Sequence, residues 1–203
     1  MTGKLITIEG IHGCGKSAIS SMLFNTLDQS SVDVVLAVDQ SDQGLSGKIR
    51  KINLEETDFI EPVTEALLIA AARRQNIIGA IRPNLKHGKI VICERYNDAF
   101  FAFQHYAREL PSSFVECVGL AIAEGLEPNL TILLDLDPQI ALARIKDTNR
   151  HRIEREDFDF HKKVREGYLQ QLQKYPTRIK LVNADMPIKN VFDNVYKLVM
   201  EAL

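Results

Sequence analysis

The chain has 203 residues, enough for one hydrophobic core and too few for two comfortable ones. Its 25 basic and 27 acidic side chains leave a formal net charge of −2, which excludes a global field able to recruit nucleic acid or an anionic membrane. Three cysteines, Cys14, Cys93 and Cys117, are odd in number and lack metal-ligand spacing, as expected in a reduced cytoplasmic setting. No stretch approaches a membrane span, and Met1-Thr2-Gly3-Lys4 does not read as a signal peptide.

Short β-rich apolar runs alternate with helical periods, the pattern of an α/β fold with a parallel sheet flanked by helices. The first strand is expected at 4–9 and the first helix at 15–29. Between them, Gly10-Ile11-His12-Gly13-Cys14-Gly15-Lys16-Ser17 fits G-x-x-x-x-G-K-[ST] in its proper strand-to-helix setting. Glycines at 10, 13 and 15 let backbone N–H groups wrap a polyphosphate, and the helix start adds its dipole. Lys16 reaches the β and γ phosphates and the Ser17 hydroxyl ligates Mg²⁺; Cys14 and Ala18 belong to the same ATP-binding stretch.

A second strand is expected at 32–38, followed at 39–47 by a polar loop on the carboxyl edge of the sheet, where such sheets bind ligands. The helix at 62–82 carries Arg73 and Arg74. Adjacent helical positions diverge by about 100°, so only Arg73, four residues after Ile69, shares that residue's face and can hydrogen-bond an acceptor base or sugar. Strand 89–94 closes on Glu94-Arg95-Tyr96: Glu94 can hold Mg²⁺ through water, and Arg95 can clamp the acceptor phosphate or the leaving oxygen.

Helices follow at 97–109 and 111–124, the first carrying Phe100, Phe101 and Phe103 ahead of Gln104, with most of those rings expected in the core. Next come a strand at 130–136, helices at 138–147 and 157–174, a strand at 179–183 and a helix at 188–202. Pro62, Pro111, Pro138 and Pro187 stand at helix starts, where a missing N–H is harmless. The charged stretch 147–156 reads as a lid offering Arg150 and Arg152 around His151. Phosphoryl transfer needs positioned cations and excluded water, which makes Lys16, Arg95, Arg150 and Arg152 the catalytic candidates. No repeat, low-complexity run or linker interrupts the chain, so a single domain spanning 1–203 is expected.

Ile8-Glu9-Gly10, Ala71-Ala72-Arg73 with Gln75, Glu94-Arg95-Tyr96, Leu134-Asp135-Leu136-Asp137-Pro138, and Arg152-Ile153-Glu154-Arg155-Glu156 followed by Phe158-Asp159-Phe160 stand in one order. That order resembles the thymidylate kinase family of nucleoside monophosphate kinases over most of the chain. The resemblance implies a P-loop NTPase three-layer fold with a five-stranded parallel sheet, a homodimer, and transfer of the ATP γ-phosphoryl to a deoxynucleoside monophosphate, dTMP giving dTDP, with Mg²⁺. It further implies that Arg144 stacks on the ATP adenine, that backbone near Asn183 and Ala184 reads the adenine edge, and that His12, Ile69, Arg73, Arg95, Phe103 and Gln104 meet the acceptor.

Departures from the family pattern gather on the acceptor side. His12 stands where the family has an acid that contacts the sugar hydroxyl. Val38-Asp39-Gln40-Ser41-Asp42 replaces Arg-Glu-Pro-Gly-Gly, Ile69 replaces the ring that stacks on thymine, Phe103 replaces a tyrosine, and Glu94 replaces an aspartate. A lost aromatic stack is worth on the order of 1 kcal/mol and a lost arginine–phosphate contact about 2 kcal/mol. Together they amount to a factor of roughly a hundred in acceptor binding. Two other readings stay open: a nucleoside kinase using Asp39 as general base, and an ATP-binding module without transfer activity.

Overall fold

Five strands, β1 (Lys4–Glu9), β2 (Val34–Val38), β3 (Ile90–Glu94), β4 (Leu130–Asp135) and β5 (Ile179–Asn183), pair in parallel in the order β2-β3-β1-β4-β5. The computed structural model describes residues 3–38, 44–55, 59–145 and 151–203. Ile6 of the central β1 stands level with Ile92 on one side and Leu130 on the other. Because successive side chains leave a strand on opposite faces, Leu5 and Val91 pack to one side while Ile6, Ile8 and Ile92 pack to the other. Both faces of the inner strands β1, β3 and β4 are therefore buried, which is why these strands read as nearly continuous apolar runs rather than alternating ones. Thr7 and Thr131 are buried polar residues within these runs, and their hydroxyls pair with each other at 2.7 Å.

On the Ile6 face lie α1 (Lys16–Gln29), α8 (Phe158–Lys174) and α9 (Ile188–Ala202). α1 buries Ile19, Leu23 and Leu27, and α9 buries Val191, Val195 and Val199, each a row spaced by four. The Leu5 face is covered by α3 (Pro62–Asn76) and α6 (Ser112–Ala123), through Ala66, Ala70, Val115 and Ile122. The result is the expected three-layer α/β arrangement around five parallel strands. Among the described residues, no helix is long and apolar enough to cross a membrane.

Four boundaries differ from the sequence expectation. Residues 44–47, expected in a polar loop, open a helix, α2 (Gly44–Glu55); residues 39–43 lie outside the described residues. Two glycines weaken its helical signal, but those small residues allow close packing on α3, where the Ser46 hydroxyl donates to the Ala72 carbonyl at 2.9 Å. The helix expected at 62–82 runs on through a widened π turn, Ile77–Ile81, into α4 (Arg82–Lys86). The wider turn accommodates Pro83, which lacks an N–H and would crowd the preceding turn of a regular helix.

The helix expected at 97–109 divides into α5 (Asn97–Phe100) and a π-helical stretch, Phe101–Ala107, laid closely on α8; a side chain at Gly167 would collide with Ala102. That expected at 138–147 stops early as α7 (Pro138–Ala143), its end tightened by bonds from Arg144 N to Ala141 O and from Ile145 N to Leu142 O.

Candidate active site

The carboxyl ends of β1 and β3 open into a cavity of about 370 Å³, walled by the glycine loop, α2, α3, the π-helical stretch and the lid. Gly10 and Gly13 have φ of 138° and 79°, a region open mainly to glycine. A side chain at Gly13 would strike the Ala141 carbonyl, and one at Gly10 the Leu134 carbonyl, so the loop lies flat on the end of β4 and on α7. Cys14 is buried beneath it. Gly15 caps α1, and Lys16, Ser17 and Ala18 follow on the cavity wall.

Lys16 is buried, and its ammonium donates to the Ile11 carbonyl at 2.7 Å. Among the described residues no carboxylate lies within 4 Å of it. Burial, with the Arg95 charge beside it, pushes its pKa down. A bound polyanion reverses that cost, so the loop fits a triphosphate. The Ser17 hydroxyl donates to Glu94 Oε1 at 3.0 Å, bringing the two expected metal ligands together as a hard oxygen pair suited to Mg²⁺.

Arg95 is buried with a left-handed backbone, φ 67°. Its NH1 donates to the Gly10 carbonyl at 3.1 Å and to the Tyr168 hydroxyl at 3.0 Å, and its guanidinium lies 5.1 Å over the Phe103 ring. The Tyr168 hydroxyl in turn donates to Glu9 Oε2 at 3.0 Å, while Glu9 Oε1 accepts the Tyr96 N–H at 2.6 Å. Burial, with Asp98 adding, raises the Glu9 pKa to about 7 against the opposing pull of Arg95. Arg95 is thus fixed between the glycine loop and the helix that follows the lid.

On the acceptor side, Ile69 and Arg73 share one face of α3 and line the cavity with Phe103 and Gln104, whereas Arg74 turns outward to Glu124 at 2.8 Å. Gln104 is fully buried; its Nε2 donates to Glu65 Oε1 at 3.1 Å, and its Oε1 has no hydrogen-bond partner among the described residues.

The lid is described from His151 onward, with a 3₁₀ turn over Arg152–Arg155 whose first N–H, that of His151, is capped by Glu154 Oε2. Glu154 Oε1 meets His12 Nδ1 at 2.9 Å. Arg152 is not on the cavity wall: it donates to Glu65 Oε2 at 2.5 Å and to Asn53 Oδ1 at 3.1 Å. Arg150 and Asp39 lie outside the described residues. At the other end of the cavity, Arg144 sits on the wall with its guanidinium 3.4 Å from the Ala184 carbonyl. Asn183 and Ala184, beyond the wall, follow the edge of β5 beside it.

Sequence reasoning missed Glu65, Arg108 and the role of Tyr168. Glu65 had a signal: with Ile69 and Arg73 it completes a row spaced by four. Arg50 and Asn53, also on the cavity wall, had none, since α2 was not expected.

A strand, a glycine loop and a helix carrying Lys16 and Ser17, opposed by Glu94-Arg95 at the next strand end, define a phosphate-loop nucleotide-binding protein. The thymidylate kinase signature matches residues 8–195. The chain is 38% identical over 197 residues to the thymidylate kinase of Clostridium novyi (strain NT), covering 95% of this chain and 96% of that protein. It is 39% identical over 207 residues to that of Bacillus mycoides (strain KBAB4), covering 100% of both. The chain belongs to the thymidylate kinase family.

Proposed function

We propose that this chain is a thymidylate kinase, moving the γ-phosphoryl group of ATP to dTMP to give ADP and dTDP. The observation that carries the choice of acceptor is Gln104 Oε1, a buried acceptor atom without a hydrogen-bond partner among the described residues, on a wall shared with the Arg73 guanidinium. Thymine offers the complement, an N3–H donor beside the O4 acceptor. Cytosine reverses both groups and would leave buried polar atoms unpaired.

In this reading a phosphate oxygen of dTMP attacks the γ phosphorus; a P–O bond forms there as the bond to the ADP oxygen breaks. The attacking oxygen carries no proton that must be removed, so no general base is needed. Lys16 neutralises the triphosphate, and Arg95, held by Tyr168 and the Gly10 carbonyl, supplies fixed positive charge between donor and acceptor. Ser17 and Glu94, whose oxygens lie 3.0 Å apart, would hold Mg²⁺, which when bound would neutralise phosphate charge. Arg150 of the segment 147–156 adds positive charge and the segment excludes water, whereas Arg152, bonded to Glu65 and Asn53 away from the cavity wall, serves to anchor that segment rather than to meet the phosphates. Arg144, with Asn183 and Ala184, receives the adenine. The same reading makes the protein a cytoplasmic homodimer with one kinase domain per chain.

The test is an acceptor screen: purified protein, Mg-ATP, and a panel of nucleosides and their monophosphates, scored by ADP release. Turnover fastest with dTMP is expected. Failure of dTMP and every other monophosphate refutes the proposal, as does phosphorylation of thymidine in place of dTMP.

A further inference from the structure

Glu65 is among the most enclosed charged side chains of the described residues, 1% exposed, and accepts four hydrogen bonds from them, two on each oxygen. Oε1 accepts from Gln104 Nε2 at 3.1 Å and Arg108 Nε at 3.1 Å. Oε2 accepts from Arg108 NH2 at 2.9 Å and Arg152 NH2 at 2.5 Å. Burial alone would raise its pKa, but the Arg108 charge and the bonds from Arg108, Arg152 and Gln104 outweigh that and hold it below the ordinary carboxylate range. Glu65 is therefore an acceptor only, with its lone pairs filled.

This has a consequence for Gln104, whose amide has two ends of similar shape and opposite hydrogen-bonding sense. With Nε2 facing Glu65, Oε1 is left over. Reversing the amide would set two oxygens against each other at about 3 Å in a buried site and strand the NH₂ group, so the carboxylate permits one orientation. Arg108 keeps Glu65 in register through both of its oxygens, and is itself anchored on Glu156 Oε1 at 2.6 Å and over the Phe160 ring at 4.5 Å.

We infer that Glu65 is the specificity-positioning residue of the acceptor pocket: by fixing the orientation of Gln104, it makes the pocket accept a base with an N–H at position 3 and reject one with a lone pair there. Glu65 itself touches no substrate. The inference rests on the reading of the cavity as a dTMP site.

The experiment measures kcat/KM for dTMP and for dCMP in the full-length enzyme with Mg-ATP, and reads their ratio. A wild-type enzyme that does not use dTMP overturns the underlying reading; the variants test the role of Glu65. In Glu65→Gln, residue 65 can present either an oxygen or an NH₂ group, so Gln104 can reverse. The dTMP-to-dCMP ratio is expected to fall at least tenfold. Adding Glu65→Gln to Gln104→Leu should leave the ratio of the single Gln104→Leu variant unchanged within about twofold. Arg152→Gln, which loosens only Oε2, should lower kcat with both nucleotides and leave the ratio in place. Should Glu65→Gln fail to fold, Arg108→Gln releases the carboxylate from its clamp and should lower the ratio at least threefold. A Glu65→Gln enzyme that loses activity equally toward both nucleotides, keeping the wild-type ratio, overturns the inference, because a purely structural Glu65 would behave in that way.

Discussion

His12 Nδ1 in the glycine loop lies 2.9 Å from Glu154 Oε1, so that loop is bonded directly to the 3₁₀ turn Arg152–Arg155. Burial, with the charges of Arg95 and Lys16, pushes the His12 pKa down to about 3. Glu154 is held below the ordinary carboxylate range: its burial is outweighed by the bond from His12 and by the His151 N–H. Both shifts favour a neutral imidazole whose Nδ1–H donates to a carboxylate. An acid at position 12, as the family has, would face Glu154 as a like charge.

His12→Asp is accordingly expected to lower kcat/KM for dTMP roughly tenfold, by forcing two carboxylates together where a charge-assisted bond stood. Adding Glu154→Gln supplies an amide donor to the carboxylate introduced at position 12 and should recover most of the loss. Steady-state kinetics of the four enzymes in this cycle decide the matter; a double variant no better than His12→Asp alone sinks it.

Arg95 combines the guanidinium proposed above to act between donor and acceptor with a left-handed backbone, φ 67°, which costs a non-glycine residue about 1–2 kcal/mol. Arg95→Gly and Arg95→Ala should both lose at least a hundredfold in kcat, yet Arg95→Gly should melt roughly 2–6 °C above Arg95→Ala. Equal melting temperatures would show that the backbone relaxes when the side chain is removed.

Glu9 makes stability depend on pH. Its folded pKa, raised to about 7 from 4.5 by burial and Asp98, lies above the unfolded value, so its proton-linked stabilisation is full below about pH 4.5 and is lost as the pH climbs through 7. Glu9→Gln imitates the protonated form without titrating. Calorimetry should find the two proteins melting close together at pH 5, with Glu9→Gln gaining on the wild type up to about pH 7.5 and the gap constant beyond. A gap that does not change with pH contradicts this account.

Asp98, Arg178 and Thr131 form a buried knot under the sheet: Arg178 NH1 and NH2 reach Asp98 at 2.7 and 2.9 Å, and NH1 also reaches the Thr131 hydroxyl at 2.7 Å. Arg178→Ala strands a buried carboxylate, at a cost of about 3–5 kcal/mol. Urea denaturation should recover a good part of that in Arg178→Ala/Asp98→Asn, since the remaining amide carries no charge. A cost below about 1 kcal/mol for Arg178→Ala would mean that water already screens the pair.

Legibility in the sequence followed locality. The strands at 4–9 and 89–94 lie within a residue of β1 and β3, because inner parallel strands buried on both faces leave nearly unbroken apolar runs, and the strand at 179–183 coincides with the edge strand β5, whose Ile179, Leu181 and Val182 are apolar although Leu181 is exposed. The helices expected at 15–29 and 188–202 lie within a residue of α1 and α9, whose buried residues Ile19, Leu23, Leu27 and Val191, Val195, Val199 are spaced by four. α2 did not: with Gly44 and Gly47 in it, its helicity comes from packing on α3, which no local pattern records. Arg73 was separable from Arg74 by helical geometry alone, yet the same geometry leads back through Ile69 to Glu65, whose partners lie on other elements.

What the sequence determined by itself is the glycine loop, proposed above as the donor half of the site, because Gly10 to Ser17 are eight consecutive residues whose chemistry is set by backbone conformation and one helix start. The cluster around Glu65, proposed above to shape the acceptor half, was decided by the tertiary structure. Glu65, Gln104, Arg108 and Arg152 come from α3, the π-helical stretch and its end, and the lid, with Arg152 and Glu65 separated by 87 positions. Individually these residues are ordinary polar side chains. Burying a carboxylate among two arginines and an amide is what fixes each of their orientations, and that burial exists only once the three segments have closed around it.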